Sequence, residues 1–147
     1  MSDEALRDDG MCFACGRRNP AGLGLRFAFD GHEASAAVSF GERFQGYRDI
    51  VHGGLVSTAL DEAMVMVLNR TGELALTAEL SVRFLAPVRV GESLRVAATL
   101  VSRRGRVSRL EARLTREDGT ELARAVGTYF RTGPLQGDGN APGGRRS

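Results

Sequence analysis

Alternation of apolar and polar positions with a period of two runs through most of this chain, and one long apolar stretch with a helical character interrupts it. Leu25, Phe27 and Phe29 alternate with Arg26 and Ala28; Gly31-His32 reads as a turn, and Ala34 to Phe40 as a strand returning antiparallel. Successive side chains of a strand point to opposite faces, so such a pattern predicts one buried face. Four more stretches of this kind follow, at about 75–86, 91–103, 106–117 and 120–131. Leu80, Val82 and Phe84 carry the pattern in the first; Leu94, Val96, Ala98 and Leu100 in the second; Leu110, Ala112 and Leu114 in the third. Asp118-Gly119 between the last two is a hairpin signal. The interruption spans roughly 53 to 69, where Leu55, Val56, Ala59, Leu60, Ala63, Met64, Met66, Val67 and Leu68 leave little polar surface. A helix apolar nearly all round is enclosed by its protein rather than laid on a surface. One enclosed helix among long antiparallel strands predicts an α+β fold, a sheet of about five to six strands wrapped around a single long central helix.

The chain is short enough for one domain and long enough to bury a core. Residues 1–10 are polar and are expected to be flexible, 11–132 to form the domain, and 133–147, rich in Gly, Asp, Asn and Pro, to be a disordered tail. The formal net charge of +2 does not argue for a nucleic-acid partner. All 20 basic residues are arginine, which either follows from genomic base composition or serves phosphate contacts. Arg89, Arg103, Arg104 and Arg106 fit phosphate binding and a solvated strand face equally. The acidic start has no apolar core of a secretory signal, and no run reaches the roughly 20 apolar residues that span a bilayer. The expectation is a cytoplasmic protein without a membrane partner.

Cys12 and Cys15 are the only cysteines. A closed zinc site needs two further ligands, and the only histidines are His32 and His52. Gly16, Asn19 and Pro20 follow the pair where a redox motif would open a helix. The pair is read as structural, with no metal expected.

The chemistry concentrates where the helix begins, at His52-Gly53-Gly54. The first N–H groups of a helix have no partner inside it, and the helix dipole is positive there. Two glycines add no side chain that would keep a ligand oxygen away. Asp61 lies eight residues beyond Gly53, about two turns on, and a carboxylate on an apolar helix is costly without a partner.

His52-Gly53-Gly54 followed by Asp61 resembles the signature of hotdog-fold acyl-CoA thioesterases of the phenylacetate-pathway (PaaI-like) type. The resemblance extends over about residues 11 to 131. It includes Cys12-Phe13-Ala14-Cys15-Gly16, Asn19-Pro20-Ala21-Gly22-Leu23, Phe44-Gln45-Gly46-Tyr47, and Thr77-Ala78-Glu79-Leu80 through Pro87. It implies hydrolysis of an acyl-CoA substrate, without a cofactor, in a homodimer or homotetramer. By the same resemblance the Gly53 amide polarises the thioester carbonyl and Asp61 acts as base or nucleophile. Thr77 would position the attacking water, Gln45 would stand near the nucleophile, and His52 and Gly54 would touch the substrate. In related enzymes the site lies between subunits, so Gly53 and Asp61 would come from different chains. Glu62 points about 100° away from Asp61 around the helix and is read as a structural or dimer-contact residue.

The chain departs from that family at Arg48-Asp49, where many relatives have Pro-Gly, and at Met64 to Val67, where small residues are frequent; bulk there would narrow an acyl pocket. Two other readings share the fold: a hydratase or dehydratase using His52 with Asp61 or Glu62, and a non-catalytic acyl-CoA-binding protein.

Overall fold

A computed structural model describes residues 6–134. Six strands form one sheet: β1 (Ala28–Phe29), β2 (Glu33–Val38), β3 (Glu73–Phe84), β4 (Leu94–Arg104), β5 (Val107–Arg116) and β6 (Glu121–Pro134). Their order is β1-β2-β4-β5-β6-β3, and every neighbouring pair is antiparallel. The one long helix, α1 (Gly53–Arg70), packs on the sheet with Val56, Leu60, Ala63, Met64 and Val67 inward. Val96, Leu110, Leu114 and Ala125 meet it from the strands. This is the hotdog arrangement, with the sheet as wrapping and α1 as filling.

The alternation in the sequence marks most of the side chains that turn inward, Leu100 beside a bulge being an exposed exception, while the hydrogen bonding ends some strands earlier than it suggests. Leu25 and Phe27 are buried as expected, yet only Ala28 and Phe29 join the ladder. The Leu25 N–H goes instead to the Ala14 carbonyl, at 2.9 Å. Phe40 is likewise buried beyond the end of β2. At the other end of the chain β6 continues past residue 132, with Gly133 opposite Leu74 and Pro134 opposite Glu73. Gly10, the last residue of the segment expected to be flexible, is tied into the fold, its carbonyl accepting from the Arg18 N–H. The expected tail beyond Pro134 and the first five residues lie outside the described residues.

Two local features place the site. Residues 10–27 run along α1, with Cys12 against Glu62 and the Phe27 carbonyl accepting from Arg70. Strand β3 forms one edge of the sheet, and among the described residues nothing pairs with its outer side. No helix is long and apolar enough to cross a membrane among the described residues.

Candidate active site

His52 caps α1 in an extended conformation (φ −60°, ψ 129°), and its Nδ1 accepts from the Gly54 N–H at 2.9 Å. A ring nitrogen that accepts carries no proton, so the neutral imidazole bears its hydrogen on Nε2. Gly54, expected to touch substrate, thus gives its N–H to the cap. The Leu55 and Val56 N–H groups both turn to the His52 carbonyl. The Gly53 N–H is left without a partner among the described residues, at the positive end of the helix. Beside it Val56, Phe84, Leu85, Pro87 and Val88 line a shallow apolar groove. Phe84 and Leu85 are 52% and 44% exposed there, which is unusual for side chains of their size. Of the four bulky residues that follow Asp61, Met64, Met66 and Val67 are buried in the core of this chain and Val65 is half-buried against it.

The loop before the helix is braced by Gln45, whose Oε1 accepts from the Asp49 N–H at 3.1 Å. Asp49 has φ 64°, in the left-handed region. Only glycine enters that region without cost, and aspartate is among the better substitutes. Within one chain Gln45 makes no hydrogen bond to Asp61.

Two turns into the helix, Asp61 Oδ1 accepts from Thr77 Oγ1 at 2.9 Å and from the Tyr129 hydroxyl at 2.7 Å. Its Oδ2 has no hydrogen bond among the described residues. Tyr129 is fully buried; burial, and then the charge of Asp61, push its hydroxyl well above the ordinary tyrosine range. It therefore stays protonated and remains a donor. Gly127 makes room for the ring, because a Cβ there would lie 2.5 Å from Tyr129 Cε2.

A β-bulge delivers Thr77. Leu80, Val82 and Phe84 stand opposite Gly127, Ala125 and Ala123, all on the helix side of the sheet. Strict alternation from Leu80 would turn residue 77 outward. Between Thr77 and Glu79 the register shifts, leaving Ala78 as an extra residue, and Thr77 falls opposite Tyr129. Both donors thereby face the same carboxylate.

Residues 49–123, about half of the chain, match the sequence profile of the thioesterase superfamily. The chain belongs to the thioesterase superfamily. Solved structures agree on the fold. The smu.793 protein of Streptococcus mutans UA159, bound to acetyl-CoA, is 22% identical; the match covers 76% of this chain and 91% of that one, with a TM-score of 0.72. A hypothetical thioesterase of Streptococcus pneumoniae TIGR4, solved with coenzyme A, is 19% identical over 71% and 85%, with a TM-score of 0.68. The Escherichia coli PaaI protein from the phenylacetic acid degradation operon is 19% identical over 77% and 83%, with a TM-score of 0.71. Further structures of the S. pneumoniae protein carry alanine in place of one threonine and of one aspartate. No curated protein matches the chain.

For this member of the thioesterase superfamily the structure joins Thr77 to Asp61 and gathers Gly53, Gly54, His52 and Gln45 at the helix start, as two separate groups. Tyr129 is the residue that sequence reading passed over. Its only signal is Gly127, a small residue two positions earlier on the same strand face. Arg103 forms an ion pair with Glu73 at 2.8 Å. Glu62 turns away from Asp61 toward Cys12, with Cys12 Sγ 3.5 Å from Glu62 Oε2. Burial pushes the Glu62 carboxyl up, to about 8. The neighbouring Cys15 thiol, helped by the Cys15 and Ala14 amides, pulls Cys12 down to about 5. The thiol of Cys15 is pushed up, first by its bond to Cys12 and then by burial.

Proposed function

We propose that this protein hydrolyses acyl-CoA thioesters to the free acid and coenzyme A, at a site shared by two copies of the chain. The observation that carries the reading is the pairing of an unengaged Gly53 N–H at a helix N-terminus with a carboxylate whose other oxygen is held by two donors. Superfamily membership and the coenzyme A and acetyl-CoA bound to similar structures support it. So does a spacing: the aspartate and threonine replaced in the S. pneumoniae protein stand sixteen residues apart, as do Asp61 and Thr77.

In this reading the Gly53 N–H takes the thioester oxygen as negative charge grows on it. Asp61 Oδ2 either draws a proton from the attacking water or itself attacks the carbonyl carbon. In the first route the water oxygen bonds to carbon, the C–S bond breaks, and the proton passes to the leaving thiolate. In the second an Asp61 oxygen bonds to carbon, the C–S bond breaks to release the coenzyme A thiolate, and water then cleaves the mixed anhydride to the free acid and the Asp61 carboxylate. The apolar groove at the helix start suits a short-to-medium or aromatic acyl group.

Helix geometry favours two chains. Eight residues at 1.5 Å each separate Gly53 from Asp61 by about 12 Å along the axis. A carbonyl carbon whose oxygen accepts from the Gly53 N–H lies only about 4 Å from that nitrogen. The Asp61 that attacks such a carbon is therefore supplied by a partner, as in a homodimer or a homotetramer built from such dimers. The unpaired edge of β3 is the natural place for a second copy to add. The hydratase reading needs His52 as a base, and the commitment of its Nδ1 to Gly54 weighs against it.

Thiol release from a panel of acyl-CoA substrates, with wild type and Asp61→Asn side by side, tests the reaction. Turnover by wild type that is lost in the variant is expected; no turnover of any thioester by wild type refutes it. Co-expression of Asp61→Asn with Gly53→Pro tests the shared site. Random pairing leaves one intact site in half of the symmetric dimers, restoring about a quarter of wild-type activity. Mixed chains as inactive as either parent would sink the two-chain site and leave the hydrolase standing.

A further inference from the structure

The N-terminal segment and α1 bring together three metal-binding side chains that the thioesterase reading does not use. Cys12, Cys15 and Glu62 each offer a ligand atom, and the three atoms lie within 4.8 Å of one another. We propose that they bind a zinc ion through two thiolates and one carboxylate oxygen, with water in the fourth position. This departs from the sequence expectation of no metal, which looked for further cysteine or histidine ligands and did not anticipate a donor from the helix.

The geometry fits at three points. Tetrahedral zinc with bonds of about 2.3 Å to sulfur and about 2.0 Å to oxygen holds those two atoms about 3.5 Å apart. Cys12 Sγ and Glu62 Oε2 are 3.5 Å apart. Next, the Cys-x-x-Cys-Gly turn is wound as a tight knuckle. The Gly16 N–H donates to the Cys12 carbonyl at 2.8 Å, and a Cβ on Gly16 would lie 2.4 Å from the Cys12 nitrogen and from the Gly10 carbonyl oxygen.

The third point is Glu62 itself. It is half-buried, its side chain accepts from the Cys12 thiol with Cys15 Sγ within 4.8 Å, and none of the four ion pairs among the described residues involves it. A carboxylate withdrawn from water without a cation is costly. A zinc ion supplies that cation, and binding to thiols releases their protons. Glu62 follows Asp61 directly, so the metal would clip residues 10–25 to the turn of α1 that carries Asp61.

Metal content of the full chain, purified under reducing conditions and without chelator, is the test. The expected result is one zinc per chain, retained or taken up. Refilling the stripped protein with cobalt should give an intense thiolate charge-transfer band, which Cys12→Ser and Cys15→Ser abolish. Glu62→Gln should keep the thiolates but weaken affinity by at least about 10-fold, the lower end of what losing a supporting group costs. Circular dichroism reports whether each variant folds, and the wild-type cobalt spectrum decides the question if they do not. Failure of wild type to take up zinc, or a cobalt complex without the thiolate band, overturns the proposal. A native mass two hydrogens below the reduced chain would show a disulfide and overturn it too.

Discussion

Replacing Gly53 with proline removes a single N–H and little else. Residue 53 is the first residue of α1, where proline's fixed φ suits the helix and the missing N–H breaks no helical bond. The preceding His52 has the extended conformation that a residue before proline requires, φ −60° and ψ 129°. The Gly53 N–H bonds to nothing within the described chain, so folding loses no hydrogen bond. Gly53→Ala is the control: it retains the N–H, and its new methyl group meets Phe84 Cζ at 3.4 Å, a contact distance. If that N–H carries the developing oxyanion, its loss costs about 10²–10³ in kcat, or about 2.7–4 kcal/mol of transition-state stabilisation. The assay is thiol release under saturating acyl-CoA, with melting temperatures alongside. Gly53→Pro should melt close to Gly53→Ala and turn over at least about 100-fold more slowly. Equal turnover by the two variants would refute the assignment of the Gly53 amide.

Tyr129→Phe deletes one of the two donors on Asp61 Oδ1; a bond to a charged acceptor is worth about 1.5–3 kcal/mol, so kcat should fall by about 10- to 100-fold. KM should hold, and a raised KM with unchanged kcat would show that the tyrosine serves binding instead. Asp49→Gly keeps the backbone bonds to Gln45 and Val90 and relieves a left-handed conformation, so thermal unfolding should show a gain of up to about 1 kcal/mol; Asp49→Val should lose stability, and the reverse order would contradict the backbone geometry. In chelator-treated protein Cys12, pulled down to about 5, is already thiolate at pH 6. Its alkylation should therefore change little between pH 6 and 8, where an ordinary thiol would speed up with each added unit. A steep climb over that interval would show that the thiol is not so held.

Much of the fold is legible in the chain. The period of two marks most inward residues of β3, β4 and β5, failing at Leu100, which is 37% exposed beside the bulge before Ser102, and Asp118-Gly119 marks a turn that the structure respects. The glycine entry to the helix and the carboxylate two turns later are also readable, because helix geometry depends only on spacing along the chain; the cap by which His52 takes up the Gly54 N–H is not. Strand ends are less so: Leu25 and Phe27 carry the alternation, but their segment bonds to a loop instead of the sheet. The site is where sequence reasoning stops. Thr77 reaches Asp61 only because Ala78 is an extra residue that reverses the face of the strand, and Tyr129 joins it only because the β3–β6 register sets the two side by side. Glu62 meets Cys12 across fifty residues for a similar reason. Periodicity records which face a side chain takes within its own element, and that much the amino-acid order settles alone. Which residues share a carboxylate or a cluster depends on register, bulge and the docking of distant segments, and those are decided by the tertiary packing that sets one element against another.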